Sequence, residues 1–475
     1  MASLPSIILF FFAFSFLFFQ SFAGKLLSPD SHYLTVELAD LFPSASCTRR
    51  SPQAHTSSVG EQSSLEVIHR HGPCGDDVSN APTAAEMFVQ DQARVDFIHS
   101  KFAGELESVD RLRPSKATKI PAKSGATIGS GNYIVNVGLG TPKKYLSLIF
   151  DTGSDLTWTQ CQPCARYCYN QKDPVFAPSQ STTYSNISCS SSDCSQLESG
   201  TGNQPGCSAA RACIYGIQYG DQSFSVGYFA KETLTLTSTD VIENFLFGCG
   251  QNNRGLFGSA AGLIGLGQDK ISIVKQTAQK YGQIFSYCLP KTSSSTGYLT
   301  FGGGGGGGAL KYTPITKAHG VANFYGVDIV GIKVGGTQIP ISSSVFSTSG
   351  AIIDSGTVIT RLPPDAYSAL KSAFQKGMAR YPKAPELSIL DTCYDLSKYS
   401  TIQIPKVGIM FKGQEELDLD GTGIMYGAST SQVCLAFAGN QDPSTVAIIG
   451  NVQQKTLQVV YDVGGGKIGF GYNGC

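Results

Sequence analysis

Two short stretches far apart in the chain repeat one order of side-chain types: Ile149-Phe150-Asp151-Thr152-Gly153-Ser154 and Ile352-Ile353-Asp354-Ser355-Gly356-Thr357. Each reads as an apolar strand that ends in Asp, hydroxyl residue, Gly, hydroxyl residue. Each is followed, further along, by a second apolar pair plus Gly: Leu263-Ile264-Gly265 after the first and Ile448-Ile449-Gly450 after the second. An echo of this kind implies two similar lobes. Between and around the repeats lie short β-like runs punctuated by glycine, such as Tyr133, Val135 and Val137, Tyr145 to Phe150, and Phe229 to Leu236. The expectation is an all-β body with small peripheral helices, near Ile271 to Tyr281 and near Pro364 to Tyr381.

The repeated motif carries its own chemistry. Gly after the Asp permits a tight turn and close backbone approach, and the flanking hydroxyls can hydrogen-bond the carboxylate. If the lobes bring Asp151 and Asp354 together, both cannot ionise cheaply, so the pair shares one proton and titrates as a unit. One carboxyl then acts as base toward water while the other donates to a carbonyl oxygen. Histidine-dependent hydrolysis fits poorly, because His319 is the sole histidine in residues 121 to 475.

On these residues the chain resembles the pepsin-like aspartic proteases, in their plant nepenthesin-like branch, over roughly Tyr133 to Gly471. The resemblance implies a bilobal all-β fold and an aspartic endopeptidase acting at acidic pH through Asp151 and Asp354. It also implies dyad support from Thr152, Gly153, Ser154, Ser355, Gly356 and Thr357. Thr152 and Ser355 would cross-brace the two loops, and Ser154 and Thr357 would bond the outer carboxylate oxygens. Tyr219-Gly220-Asp221-Gln222-Ser223 resembles the tip of a flap hairpin over the substrate, with the Tyr219 hydroxyl directed toward Trp158. Gln222 departs from the Gly common at that position. A long groove between β lobes suits an extended protein or peptide substrate; Phe229, Leu263 and Ile359 are wall candidates, with a core role equally open.

The 14 cysteines form an even, dense set. Cys47 and Cys74 precede residue 120. Disulfide candidates in the remainder are Cys161, Cys164, Cys168, Cys189, Cys194, Cys207, Cys213, Cys249, Cys288, Cys393, Cys434 and Cys475, with connectivity left open. Residues 161–213 resemble the cysteine-rich insertion of the nepenthesin-like branch and contain the sequon Asn186-Ile187-Ser188, a glycosylation candidate. A zinc site at Cys161, Cys164 and Cys168 is disfavoured by the shortage of histidine. Neither a metal nor any other cofactor is expected, and the seven glycines Gly302 to Gly308 lack the Lys-Ser or Lys-Thr of a nucleotide loop.

Residues Ile7 to Phe19 are apolar apart from Ser15, the length of a signal-peptide core, with Ser21 and Ala23 as small residues before a cut. The expected organisation is a signal peptide over 1–23 and a propeptide over 24–120. An N-terminal β lobe over 121–310 and a C-terminal β lobe over 311–475 follow. Within the propeptide, Leu65 to His69 reads as β and Ala84 to Phe102 as a helix with Met87, Ala93, Val95 and Ile98 apolar. A basic junction of Arg111, Arg113, Lys116, Lys119 and Lys123 reads as a processing region. By resemblance, such a segment occupies the cleft until acid or another protease releases it.

Charge assigns no polyanionic partner. Charged residues are 15% of the chain, below the average of roughly 25%, and the formal net charge is zero. The alternatives kept open are a catalytically weak binding or inhibitor protein on the same fold and a plastid DNA-associated protease, since the sequence resembles a plastid nucleoid-binding relative. With little basic excess, nucleic-acid binding is disfavoured. A secreted monomer is expected, with vacuole or plastid as alternatives.

Overall fold

The computed structural model describes residues 32–49, 62–75, 81–103, 133–219, 222–255, 257–303, 309–317, 323–413, 416–472 and 474. The expected signal peptide, the basic junction, His319 and Cys475 lie outside the described residues, as does most of the glycine run. The architecture is two β lobes joined by a shared sheet, with few helices.

In the first lobe Tyr133–Leu139 pairs antiparallel with Lys144–Asp151. Tyr133, Val135 and Val137 are buried while Asn136 is exposed, so the alternation read from sequence is the core-facing pattern of a strand. Gly262–Gly265 runs parallel to Lys144–Asp151, placing Gly265 beside Asp151, and pairs antiparallel with Trp158–Gln160. The second lobe repeats this plan. Ala351–Ile353 runs parallel to Ala447–Ile449, and Thr360–Leu362 meets that strand antiparallel through Arg361 and Ile448. The echo in the sequence is thus an echo in topology.

Beneath the lobes, antiparallel strands pair in the order Lys311–Pro314, Lys467–Gly471, Gln458–Asp462, Ile284–Cys288, Thr296–Phe301 and Ser63–His69. The last strand comes from the amino-terminal segment and continues onto Tyr133 through His69. A second strand of that segment, Tyr33–Glu37, pairs with Thr401–Pro405 on the other lobe. The β run expected at Leu65 to His69 is therefore one two-residue extension short of the observed strand.

Helix α1 (Ala84–Ala103) also belongs to this segment. Its start is a capping box: the Thr83 N–H donates to the Glu86 carboxylate at 2.8 Å, and the Glu86 N–H donates to Thr83 Oγ1 at 3.2 Å. Phe88, Val95 and Ile98 share the buried face, Phe88 against Val358 and Ile359, and Val95 and Ile98 against Phe324, Ile352 and Ile448. The helix expected over Ile271 to Tyr281 is two short ones, Ile273–Gln276 and Ala278–Tyr281. Ser272 caps the first, and Gly282 ends the second in the left-handed region at φ 65°. The helix expected from Pro364 runs to Gly377, with Pro in its first turn and Tyr367, Leu370 and Phe374 buried.

Candidate active site

Asp151 closes strand Lys144–Asp151, and Asp354 follows strand Ala351–Ile353. Each strand is held in register by its parallel neighbour. The Leu266 N–H donates to the Asp151 carbonyl at 2.9 Å, and the Asp354 N–H donates to the Ile449 carbonyl at 3.1 Å. In each loop the glycine two residues on turns its N–H back to the carboxylate: Gly153 to Asp151 Oδ1 at 3.1 Å, Gly356 to Asp354 Oδ1 at 3.2 Å. A Cβ on Gly153 would stand 2.8 Å from Asp354 Oδ1, and one on Gly356 would stand 2.6 Å from Asp151 Oδ1. Each glycine therefore leaves the room into which the opposite carboxylate fits.

Thr152 and Ser355 bridge the lobes below the carboxylates. The Thr152 N–H donates to Ser355 Oγ at 3.1 Å, and the Ser355 N–H donates to Thr152 Oγ1 at 2.9 Å. The Thr357 hydroxyl donates to Asp354 Oδ2 at 2.6 Å. Ser154 departs from the expected symmetry. Its buried Oγ has no hydrogen-bond partner, and the Asp151 oxygens it was expected to meet are engaged by Arg94 and by the Gly153 N–H. Asn451 Nδ2 donates to the Ser355 carbonyl at 3.0 Å and Gln454 Nε2 to the Asp354 carbonyl at 3.2 Å, fixing the second loop from behind.

A guanidinium sits between the two carboxylates. From α1, Arg94 Nη2 lies 2.6 Å from Asp151 Oδ1 and 2.9 Å from Asp354 Oδ1, while Arg94 Nε lies 2.9 Å from Asp354 Oδ2. Burial alone would raise the Asp354 carboxyl and lower the Arg94 guanidinium. The mutual attraction outweighs both costs, so Asp354 is held below the ordinary carboxylate range and Arg94 is raised. One turn earlier on the same helix, Asp91 accepts from the Val358 N–H at 2.6 Å and the Ile359 N–H at 3.1 Å and pairs with Arg361 at 3.1 Å. Here burial wins: it pushes Asp91 up and Arg361 down despite their attraction.

The Trp158 indole N–H donates to the Tyr219 hydroxyl at 2.8 Å, and both rings pack edge-on against Phe257. Burial raises the Tyr219 phenol well above its ordinary value, so it remains a neutral donor and acceptor. Gly220 and Asp221 lie outside the described residues, but Gln222 takes φ 65°, the left-handed conformation that glycine adopts without cost. Phe229 and Leu263 are buried in the core around Trp158, and Ile359 is buried against Phe88 of α1. About 150 Å³ of open space remains between α1 and the flap, lined by Arg94, Lys101, Asp151 and Tyr219. Asp155 is buried beside it, accepts from the Asp269 N–H at 2.7 Å, and is pushed by burial up to about 8.

Asn186 is exposed on the short strand Ser185–Asn186 within the cysteine-rich insertion. The insertion is tied by Cys161–Cys249, Cys164–Cys168, Cys189–Cys207 and Cys194–Cys213; Cys393–Cys434 closes a loop of the second lobe and Cys47–Cys74 lies in the amino-terminal segment. Among the described residues no group of His, Cys, Asp and Glu is arranged to hold a metal.

Arg94, Asp91, Arg361 and Asp155 are the site residues that the sequence reading missed. The signal available for the first two was position: Asp91 and Arg94 fall on the face of α1 that carries Phe88, Val95 and Ile98.

Family models described as xylanase inhibitor N-terminal and xylanase inhibitor C-terminal match residues 133–303 and 324–472. An aspartyl protease family protein of Arabidopsis thaliana is 57% identical over 450 residues, covering 94% of this chain and 93% of its own length. The chain belongs to the pepsin-like aspartyl protease family. Within that family, aspartyl protease AED1 of Arabidopsis thaliana is 50% identical over 459 residues, covering 96% of this chain and 94% of its own. Aspartic proteinase nepenthesin-2 of Nepenthes gracilis is 39% identical over 346 residues, covering 70% and 76%. The crystal structure of basic 7S globulin from soybean shares the fold, with a TM-score of 0.57, 21% identity, and coverage of 72% of this chain and 91% of that one. The chain is an aspartic-type endopeptidase of the pepsin-like family, acting on proteins or peptides.

Proposed function

We propose that Asp151 and Asp354 are the catalytic pair and that the described state is latent, closed by Arg94. The observation that carries this reading is the pair of symmetric strand ends, cross-braced by Thr152 and Ser355, with one guanidinium on both carboxylates. With Arg94 withdrawn, two buried carboxylates in one place cannot both stay ionised, so they retain a single proton. Water held between them loses a proton to the ionised member, and the protonated member donates to the carbonyl oxygen of the scissile peptide. The tetrahedral gem-diol then collapses with proton transfer to the leaving nitrogen, without an acyl-enzyme. Thr357 holds Asp354 in position, and Tyr219, anchored by Trp158, closes over the substrate.

In this reading residues 24–120 are a propeptide, 1–23 a signal peptide, and the enzyme works secreted and in acid. The dense disulfides suit an oxidising compartment, and Asn186 is exposed enough to carry a glycan. The test is digestion of casein at acid pH by the processed protein, with pepstatin and with Asp151→Asn and Asp354→Asn. Loss of hydrolysis in all three arms is expected. Undiminished hydrolysis in either variant would remove the dyad, and absence of hydrolysis in the wild type would favour the inhibitor-like role that the family-model descriptions name.

A further inference from the structure

The pseudo-symmetry of the lobes pairs two unlike side chains. Trp158 and Arg361 each stand seven residues after an aspartate of the repeated motif, and each lies opposite the first apolar strand residue that precedes the second glycine, Trp158 against Leu263 and Arg361 against Ile448. In the first lobe, the side chain at this place reaches across to the flap tyrosine. In the second, it is an arginine, and α1 covers it.

Arg361 does not act alone. The N–H groups of Val358 and Ile359, in the turn between Thr357 and strand Thr360–Leu362, point at the same place, so Asp91 sits in a cradle of two backbone donors and one guanidinium. Gln92 Oε1 approaches the same guanidinium at 3.3 Å and 3.4 Å. The carboxylates that act on Arg361, Asp91 and Asp96, are both on α1. Away from α1, Arg361 keeps a bond to the carbonyl of Ile359 at 2.7 Å, which leaves its remaining donors facing the cleft once the helix departs. A buried N–H or guanidinium without an acceptor is unfavourable, and these three donors converge on one spot.

We propose that, in the processed enzyme, Arg361 with the Val358 and Ile359 N–H groups forms a carboxylate-binding subsite that favours substrates bearing Asp or Glu near the scissile bond. Asp91 is the stand-in for that substrate side chain, as Arg94 fills the catalytic centre one turn away. Residues three apart on a helix have Cβ atoms about 5 to 6 Å apart, and an extended chain advances about 3.3 Å per residue. The acidic side chain therefore falls about two residues from the cleaved bond, on one side of it. In the open cleft the burial penalty on the carboxylate is smaller than under α1, while the donors are unchanged.

The subsite rests on the latent-enzyme reading, and one experiment separates the two. Processed enzyme is given peptides with one fixed scissile bond, in which Asp, Asn, Glu or Gln replaces each residue within three positions on either side. The assay is run at about pH 5.5, where these carboxyls are ionised. The expected result is one position at which Asp or Glu exceeds its amide in kcat/KM by about tenfold or more. The preference should vanish in Arg361→Gln and partly return in Arg361→Lys. A carboxylate preference that is absent at every position, or that survives Arg361→Gln, overturns the subsite. Because the peptide comparison within wild type needs no variant, misfolding of Arg361→Gln does not rescue the proposal. Uncut chain is assayed alongside: equal activity in cut and uncut protein would overturn latency while leaving the peptide result to decide the subsite.

Discussion

Arg94 and Asp354 meet fork to fork, Nε to Oδ2 and Nη2 to Oδ1, both at 2.9 Å. Planar two-point pairing of this kind is specific to arginine, since lysine offers a single point charge. The same Nη2 also touches Asp151, so one side chain engages both members of the pair. Arg94→Gln should therefore raise the initial rate of peptide hydrolysis by uncut protein by about tenfold or more. The rate should rise further in Arg94→Gln combined with Asp91→Asn, because Asp91 is the next anchor along the helix. Initial rates measured before any processing check this; no gain in the double variant would show that α1 blocks the cleft by its apolar face alone.

Acid should loosen the Arg94 contact. The Asp354 carboxyl is lowered while Arg94 is docked, so this stabilisation is complete above the ordinary carboxylate pKa and is lost as pH falls through the lowered value. Asp91 works in the opposite sense. Its carboxyl is raised by burial, so the docked helix favours a proton there and acid strengthens that anchor. Processing rates followed from pH 3 to 7 should rise toward acid in the wild type and rise more steeply in Asp91→Asn. A flat profile in both proteins would remove Arg94 from the pH response.

Thr152→Val keeps the shape of the side chain and deletes the oxygen that accepts from the Ser355 N–H. A buried N–H left without an acceptor costs about 1 to 3 kcal/mol. Denaturant unfolding should show a loss of that size, with kcat falling because the two loops are no longer cross-braced. Thr152→Ser retains the acceptor and should recover most of both losses.

Asp155 is neutral over most of the working range, with its carboxyl pushed up to about 8 by burial. The folded state then holds a proton that the unfolded chain has released. The sign is that stability falls as pH rises between the ordinary carboxylate value and about 8, by up to about 1.4 kcal/mol per pH unit. Asp155→Asn retains an acceptor for the Asp269 N–H and removes this slope. Melting temperatures compared at pH 5 and pH 8 should differ less in the variant than in the wild type.

Several parts of this molecule were legible because their signal is local. The repeated Asp, hydroxyl, Gly, hydroxyl order announced two strand ends, and the geometry around Gly153 and Gly356 shows why no side chain fits there. The alternation from Tyr133 to Val137 and the apolar stripe of α1 likewise declared burial directly. What escaped was pairing across long separations. Arg94 and Asp91 look like ordinary charges of a solvated helix until Asp354 and Arg361, from the other end of the chain, are set against them. Ser154 Oγ meets no partner in the described state for the same reason, since Asp151 is engaged there by a side chain that local order does not reveal. Gln222 was read as a departure from glycine, and its positive φ shows the backbone keeping the glycine conformation with a different residue.

Cys47–Cys74 joins the part of the amino-terminal segment that strand Tyr33–Glu37 ties to the second lobe to the part that supplies Ser63–His69 and α1. A nick anywhere between the two sulfurs severs the backbone but leaves both halves leashed together. If the segment is removed as the latent reading requires, only a break on the carboxyl side of α1 frees strand Tyr33–Glu37, strand Ser63–His69 and α1 together, as one covalent body.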